Sequence, residues 1–411
     1  MILFCEECGT RHDIDLSQFE GQTVIRFSCK VCHENLLLDL SRQKGSKSVV
    51  SDIQNAEQAG ADGRKLKVVV VDDSKLIRKV LADIIDSSPA MEVAGEAADG
   101  REALDLIPSI GPHVATLDIN MPHMDGLTTL KHIMIRFPTP TVMISSLTKE
   151  GARETFEALK YGAIDFLPKP SQTGDKDLEQ QKDEILQKIE LAAAVQLESV
   201  HYLRPPKIDC AGGNGGATDC KTIVAMGTCE GGYGALLNIV PRLAPGLPAA
   251  FLVVLHAPEQ HLDAFVQYLD ENSAIRVKRA EDKMAVRGGC CYLASSAQYV
   301  TVEENQDGYL LNVNPSPFPS RRGAINMMMI SLSEMMLDRS VGVLLTGAGQ
   351  DGVEGLGEII RTKGTALVQD PRTCLFKDMA GAASERYHEN IRLVSDKRMA
   401  DVINELISAA S

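Results

Sequence analysis

The chain has 411 residues and a formal net charge of −14; 44% of its residues are hydrophobic, 4% are aromatic and none is tryptophan. A length well above about 250 residues predicts more than one domain. The acidic balance argues against nucleic acid as a partner, because binding to phosphates needs a basic face.

The sequence carries no apolar run close to the roughly 20 residues that a membrane span needs, so we expect no membrane insertion. Its first residues, "MILFCEECGT", turn acidic too early for a secretory signal. Ten cysteines without such a signal fit the reducing cytoplasm, where thiols serve as metal ligands or nucleophiles more often than as disulfides. We therefore expect a cytoplasmic protein.

Residues 1–40 contain two cysteine pairs, Cys5-x-x-Cys8 and Cys29-x-x-Cys32, which are separated by 20 residues. Each pair can supply two thiolates to a tetrahedral zinc ion, so the two pairs together predict a closed structural Zn²⁺ site. Few apolar residues surround these cysteines, and the metal would therefore supply much of the folding free energy. The segment resembles a zinc ribbon. Four buried cysteines, or a redox-active dithiol pair, are the alternatives.

Two polar segments, residues 41–64 and 201–220, predict linkers that divide the rest of the chain. Between them, in residues 65–200, β-branched runs alternate with helical patterns; the runs are "KVVVVDD", "MEVAGEA", "HVATLDI", "PTVMISS" and "AIDFLPKP". Residues 221–411 repeat the alternation with "TIVAMG", "AAFLVVLH", "GCCYLA", "SVGVLLTG" and "GTALVQD". This pattern predicts an α/β protein with two doubly wound parallel-sheet domains after the small N-terminal segment.

Charged side chains follow the strands of the first predicted sheet. Parallel strands end at one edge of a sheet, so we expect Asp72, Asp73, Asp118, Ser145 and Lys169 to lie close together. Three carboxylates at one place repel one another unless a cation such as Mg²⁺ binds between them. Asp118 can then act as a nucleophile towards phosphorus, while Lys169 and Ser145 bind phosphoryl oxygens. Helix capping is the alternative, but it explains single aspartates rather than the set.

Four stretches of this region resemble the receiver domain of two-component response regulators, which has a flavodoxin-like fold. They are "VVVVDDS", "TLDINMPHMDG", "MISSLT" and "DFLPKP". The resemblance implies that Asp118 accepts a phosphoryl group from a histidine kinase. The Mg²⁺ ligands that it implies are Asp72, Asp73, Asp118 and the backbone carbonyl of Asn120. It also implies that Ser145 and Phe166, together with Lys169, form the switch that responds to phosphorylation.

A cysteine stands at the glycine-rich turn "MGTCEGGYGAL", between a predicted strand and a predicted helix. Such a turn directs backbone N–H groups and the positive end of the helix at whatever Cys229 attacks. Two further strands end near His256 and Asp351, which we expect at the same edge of the second sheet. A thiol, an imidazole and a carboxylate form a nucleophile, a base and a group that orients the base.

The segments "GTCEGG", "LHAP" and "LTGAGQDG" resemble the catalytic domain of the chemotaxis receptor protein-glutamate methylesterases, here with a Rossmann-like fold. A receiver joined to such a domain is also the architecture of that family. The resemblance implies hydrolysis of glutamate methyl esters on a methylated chemoreceptor, with deamidation of glutamine as a possible second reaction. It further implies that phosphorylation of the receiver increases this activity.

Four departures from the family pattern affect the catalytic interpretation, and one of them is the stretch "SRRGAINMMM", which differs from the family's "HRPSVD" pattern. The nucleophilic serine of the family aligns with Cys229, the following threonine is Glu230, and a loop methionine is Ala348. Sulfur is larger than oxygen, and a small displacement of a nucleophile can lower the rate by about 10²-fold. Glu230 would raise the thiol pKa and the helix end would lower it, which leaves the sign of the net shift open. Three interpretations of this region remain open. It is an active hydrolase, or a signalling adaptor whose methylesterase-like domain binds without cleaving, or an unrelated domain in which Cys229 is a buried core thiol.

Overall fold

The computed structural model describes residues 65–145, 149–170, 178–195, 220–306, 308–315 and 323–410, together with four short strands nearer the N-terminus. Those strands form two antiparallel pairs: β1 (Ile2–Phe4) with β2 (Arg11–Asp13), and β3 (Val24–Ser28) with β4 (Asn35–Asp39). The chain divides into two compact units, residues 1–145 with 161–197 and residues 146–160 with 198–411.

The first unit contains a five-stranded parallel sheet whose spatial order is β6-β5-β7-β8-β9. Its strands are β5 (Leu66–Val71), β6 (Met91–Ala97), β7 (Val114–Asp118), β8 (Thr141–Ser145) and β9 (Asp165–Pro168). Its helices are α1 (Lys75–Asp86), α2 (Gly100–Ile110), α3 (Gly126–Arg136) and α5 (Leu178–Ala193). Helix α4 (Lys149–Lys160) follows β8 in the sequence and is grouped with the second unit.

Local sequence explains where these helices begin. The side chains of Ser74, Asp99 and Asp125 precede α1, α2 and α3, and each accepts a hydrogen bond from a backbone N–H of the first helical turn. Short polar side chains at this position satisfy N–H groups that have no partner within the helix. Gly111 is the C-cap of α2, and its φ of +60° is in the left-handed region that glycine adopts without strain. The capping residues thus fix how each strand connects to its helix.

The second unit contains a seven-stranded parallel sheet with the order β12-β13-β11-β10-β16-β17-β18. Its strands are β10 (Thr222–Thr228), β11 (Ala249–Leu255), β12 (Arg276–Arg279), β13 (Cys290–Ser295), β16 (Ser340–Leu344), β17 (Thr365–Gln369) and β18 (Arg392–Val394). An antiparallel pair, β14 (Gln298–Asn305) and β15 (Gly308–Pro315), lies outside this sheet. The helices are α6 (Gly232–Ile239), α7 (Glu259–Glu271), α8 (Ala324–Met336), α9 (Val353–Arg361), α10 (Asp378–Tyr387) and α11 (Asp396–Ala410).

The central strands are buried on both faces, as expected for a parallel sheet that is covered by helices on both sides. Every residue of β11 is buried, and so are residues 68–71 of β5. The methionine-rich helix α8 packs its buried side chains Met328, Met329 and Met336 into the core of the second unit. The predicted fold class, two parallel-sheet α/β domains, is confirmed for the described residues. Among these residues, no helix has the length and apolar character needed to cross a bilayer.

Candidate functional site

Cys229 follows the last residue of β10 directly, in the tight turn that leads into α6. Gly231, with φ at +76°, allows the chain to reverse there without strain. The turn is attached to the loop after β16, because the Cys229 N–H and the Thr228 hydroxyl both donate hydrogen bonds to the Thr346 carbonyl, at 3.2 and 2.8 Å. The position of the thiol is therefore fixed by two neighbouring strands.

The imidazole of His256 lies between the thiol and a carboxylate. The Cys229 Sγ is 3.2 Å from His256 Nδ1, and His256 Nε2 is 2.9 Å from Asp351 Oδ2. With the thiol protonated, Nδ1 accepts its hydrogen and Nε2 donates to Asp351. The structure thus brings together three side chains that are far apart in the sequence, at the carboxyl edge of the second sheet.

The carboxylate of Asp351 also accepts two backbone hydrogen bonds from the first turn of α8, from the N–H of Ile325 at 3.2 Å and of Asn326 at 3.1 Å. Helix α8 begins after Gly323 and has no local side-chain cap, so Asp351 fills that role. Burial alone would raise the pKa of Asp351, but the hydrogen bond and charge of His256 and these N–H groups outweigh it and lower the pKa. Asp351 is therefore a carboxylate at neutral pH.

The side chain of Asn326, which sequence reasoning missed, supports the same loop. Its Oδ1 accepts hydrogen bonds from the N–H groups of Gly352 at 3.0 Å and of Gly355 at 2.8 Å, at the start of α9. The N-cap of α9 is Gly352, which has no side chain to supply this acceptor. Asn326 thus holds the residues that follow Asp351 through its side chain and holds Asp351 itself through its backbone.

The thiol of Cys229 is only 6% exposed, and its pKa is raised well above the ordinary value, first by burial and then by the charge and hydrogen bond of Glu230. The net shift of the Cys229 pKa, whose sign the sequence left open, is therefore upward. The half-buried Glu230 also accepts a hydrogen bond through Oε2 from the Ala348 N–H at 3.1 Å. Two of the departures noted in the sequence, Glu230 and Ala348, therefore contact each other beside the thiol.

In the first unit, the carboxylates of Asp72, Asp73 and Asp118 can present one oxygen each within 4.8 Å of one another. Lys169 donates to Asp118 Oδ2 at 2.7 Å and lies 3.3 Å from Asp72 Oδ2. Burial raises the pKa of Asp118; the hydrogen bond from Lys169 acts in the opposite direction but does not reverse the shift. The buried Oδ1 of Asp118 has no hydrogen-bond partner among the described residues. Such an oxygen, next to two more carboxylates, fits a divalent cation.

The other predicted receiver residues lie in or next to strands of the same sheet. Ser145 is buried at the end of β8, and its carbonyl accepts a hydrogen bond from the N–H of Lys169 at 3.1 Å. Phe166 is fully buried in β9. The N–H of Asn120 faces the Asp118 carboxylate. The predicted zinc ligands Cys5, Cys8, Cys29 and Cys32 lie outside the described residues.

Two family models match the chain. Residues 68–180 match the response regulator receiver domain, and residues 224–403 match the CheB methylesterase. A protein-glutamate methylesterase/protein-glutamine glutaminase of Pyrococcus horikoshii is 41% identical over 329 residues, which cover 79% of this chain and 89% of that relative. A relative of the same name from Archaeoglobus fulgidus is 37% identical over 323 residues, 78% of this chain and 92% of its own length. The chain belongs to the protein-glutamate methylesterase/protein-glutamine glutaminase family, with a receiver domain ahead of its methylesterase domain.

Proposed function

We propose that this protein hydrolyses glutamate methyl esters, and the side-chain amides of glutamine, on a chemoreceptor, under the control of phosphorylation at Asp118. The observation that carries the proposal is the hydrogen-bonded series from the Cys229 thiol through His256 to Asp351. A thiol with a raised pKa is a poor nucleophile until a base removes its proton. His256 is within hydrogen-bonding distance to do so during the attack itself.

The reaction proceeds through an acyl-enzyme. As the Cys229 sulfur bonds to the ester carbon, its proton passes to His256 Nδ1, and the carbonyl electron pair moves to the oxygen. Asp351 stabilises the imidazolium through Nε2. The C–O bond then breaks and His256 returns the proton to the leaving oxygen, which gives methanol and a thioester. Water then attacks the thioester as His256 takes one of its protons, the S–C bond breaks, and His256 returns the proton to the sulfur as the glutamate side chain leaves.

Control resides in the carboxylate cluster of the first unit, where Asp118 accepts a phosphoryl group from a histidine kinase. Asp72, Asp73 and the Asn120 carbonyl, with Asp118, would hold Mg²⁺, which neutralises phosphoryl oxygens when it is bound. Lys169, now hydrogen-bonded to Asp118 at 2.7 Å, would transfer its bond to a phosphoryl oxygen. Ser145 would bind another, and the buried Phe166 would respond to that change. The site of action is the cytoplasm, where the free thiol remains reduced.

Methanol release from a methylated receptor tests this function directly. We expect wild-type protein to release methanol faster in the presence of Mg²⁺ and acetyl phosphate, and Asp118→Asn to release it at the unstimulated rate. Cys229→Ala should abolish release under both conditions. Equal rates with and without the phosphoryl donor would contradict the regulatory part of the proposal, and activity in Cys229→Ala would contradict the catalytic part.

A signalling adaptor is the second candidate, and the contact of Glu230 with the Ala348 N–H beside a thiol of raised pKa favours it. In that case the methylesterase domain binds the receptor without cleaving it. Two variants distinguish these functions. If Cys229→Ser gains a methanol-releasing activity that the wild type lacks, the natural protein is the adaptor. If Cys229→Ala loses an activity that the wild type has, the natural protein is the enzyme.

The N-terminal zinc site remains a prediction from the four cysteines Cys5, Cys8, Cys29 and Cys32. If the site exists, purified protein should contain one Zn²⁺ per chain, bound by four thiolates. Replacement of Cys5 and Cys29 by serine should abolish the metal content. Purified protein that contains no zinc would contradict the site.

A further inference from the structure

The carboxylate of Glu230 is a second polar group beside the nucleophile. Its Oε2 accepts the Ala348 N–H at 3.1 Å, and its charge and hydrogen bond act on the Cys229 thiol. Ala348 belongs to the loop that packs directly against Cys229, since a Cβ placed on Gly347 would lie 2.6 Å from the Cys229 Cβ. Glu230 is half-buried, and the hydrogen bond from the Ala348 N–H holds its carboxylate beside the thiol.

A carboxylate at this position should interact differently with the leaving groups of the family's two substrates, a glutamine side-chain amide and a glutamate methyl ester. A side-chain amide carries two N–H donors on its leaving group, and that nitrogen must gain a proton before the C–N bond breaks. The transient ammonium-like group is a cation, which a carboxylate stabilises by a charge-assisted hydrogen bond. The methoxy group of an ester has no N–H or O–H and leaves as neutral methanol, so it gains nothing from Glu230.

The amide reaction uses the same three residues as the ester reaction. The S–C bond forms while the Cys229 proton passes to His256, and the carbonyl electron pair moves to oxygen. The imidazolium then protonates the nitrogen, the C–N bond breaks, and ammonia departs past Glu230. Water hydrolyses the thioester, His256 takes one of its protons, and the sulfur regains a proton as the glutamate side chain leaves. The product carboxylate, which is the same for both substrates, is repelled by Glu230.

We propose that Glu230 makes this site select side-chain carboxamides of protein glutamine over glutamate methyl esters. The inference rests on the proposed function, because it assigns a preference between two substrates of the same site. Glu230 determines specificity here, and Cys229, His256 and Asp351 perform the same steps on both substrates.

The test uses the full chain and two receptor-derived peptides that are identical except for one position, which is glutamine in one and glutamate methyl ester in the other. Ammonia and methanol release give kcat/KM for each, and their ratio is the readout. Glu230→Gln removes the charge and keeps the size, and Glu230→Thr removes both. Both variants should lower the amide-to-ester ratio by about tenfold or more, because any effect of the substitution on the Cys229 thiol is common to the two substrates and cancels in the ratio.

Asp378→Asn is the matched control, because the exposed Asp378 accepts a hydrogen bond from the next amide of the same loop, Gly349, at 3.4 Å. Its ratio should equal that of the wild type. Glu230 variants in which both rates change by the same factor would leave the ratio unchanged, and that result would overturn the inference, because Glu230 would then act only on the thiol or on the Ala348 N–H. Release of neither product by the wild type would overturn the proposed function itself.

Discussion

The Asn326 backbone N–H donates to Asp351 Oδ1 at 3.1 Å, while the side chain of the same asparagine accepts the N–H groups of Gly352 and Gly355. One residue therefore fixes both the carboxylate that orients His256 and the start of the helix behind it. Burial of this asparagine is partial, so its role is in hydrogen bonding more than in apolar packing.

Asn326→Ala should destabilise the fold and lower kcat with little change in KM. It leaves two N–H groups at the start of α9 without an acceptor, which costs about 1–2 kcal/mol of unfolding free energy. Urea unfolding and methanol-release kinetics measure the two effects. Asn326→Asp keeps an acceptor at a helix N-terminus and should retain most of the stability. Equal stability of wild type and Asn326→Ala would contradict the capping role.

Gly347→Ala should lower activity much more than it lowers stability. Its Cβ would lie 2.6 Å from the Cys229 Cβ and 3.1 Å from the Cys229 N, so either Cys229 or the loop that contains residue 347 must shift, and we expect Cys229 to move. A displacement of this kind lowers kcat by about 10²-fold. The readouts are kcat and the thermal midpoint of unfolding.

Gly234→Ala in α6 provides the matched glycine control. A Cβ at Gly234 meets no atom within 4 Å, so this variant should keep full activity and gain about 0.5–1 kcal/mol from its better helix propensity. Wild-type kcat in Gly347→Ala would show that the loop adjusts without moving the thiol.

Asp118→Asn should be more stable than the wild type at neutral pH without Mg²⁺. The pKa of Asp118 is raised in the folded state, chiefly by burial, so protonation favours folding. The stability gained from that protonation is fully present below the unfolded pKa of about 3.9 and is lost as the pH rises through the folded pKa. The difference between variant and wild type should therefore shrink as the pH falls. Urea unfolding at several pH values measures it.

The exposed Asp105 of α2 gives the control for loss of one negative charge. Asp105→Asn should show no pH-dependent gain of this kind. Added Mg²⁺ should reduce the advantage of Asp118→Asn, since the ion compensates the buried carboxylate in the wild type. An advantage that grows towards acid pH would reverse the assigned direction of the shift.

Alkylation of Cys229 by iodoacetamide should be slow at pH 7 and should accelerate with rising pH, because burial and Glu230 raise the thiol pKa and only the thiolate reacts. Mass spectrometry of digested protein gives the rate for each cysteine. Glu230→Gln should accelerate the labelling of Cys229. Cys220, where burial raises the pKa to about 11, provides the internal control and should label at an unchanged rate. Rapid labelling of wild-type Cys229 at pH 7 would contradict a protonated thiol.

The sequence was sufficient for the strands that carry the site. Apolar, β-branched runs predict β5 and β10 because both faces of these strands are buried. The edge strand β12 reads "RVKR", where charge hides the pattern, and β18 has three residues. The strands β14 and β15 mix polar and apolar residues, so their sequences do not show the continuous apolar run that predicts a buried strand.

The side-chain roles divide in a similar way. Cys229 and His256 directly follow strands and Asp351 lies in the loop after β16, so the topology of a parallel sheet brings them together. Asn326 lies in the first turn of α8. An asparagine near the start of a helix indicates, from sequence alone, no more than a cap of that same helix. Its actual partners are the N–H groups of Gly352 and Gly355 at the start of α9, and only the tertiary fold brings them near. The contact between Glu230 and Ala348 joins residues 118 positions apart and has no local signal.

Strand β10 is hydrogen-bonded on both sides, to β11 and to β16, at the middle of the seven-stranded sheet. The thiol therefore rests on the segment whose amides should exchange with deuterium most slowly, whereas β12 and β18 at the margins can fray first. Heating should open those margins while the three reacting groups stay aligned. Catalytic competence should then disappear in a single step, together with the sheet itself.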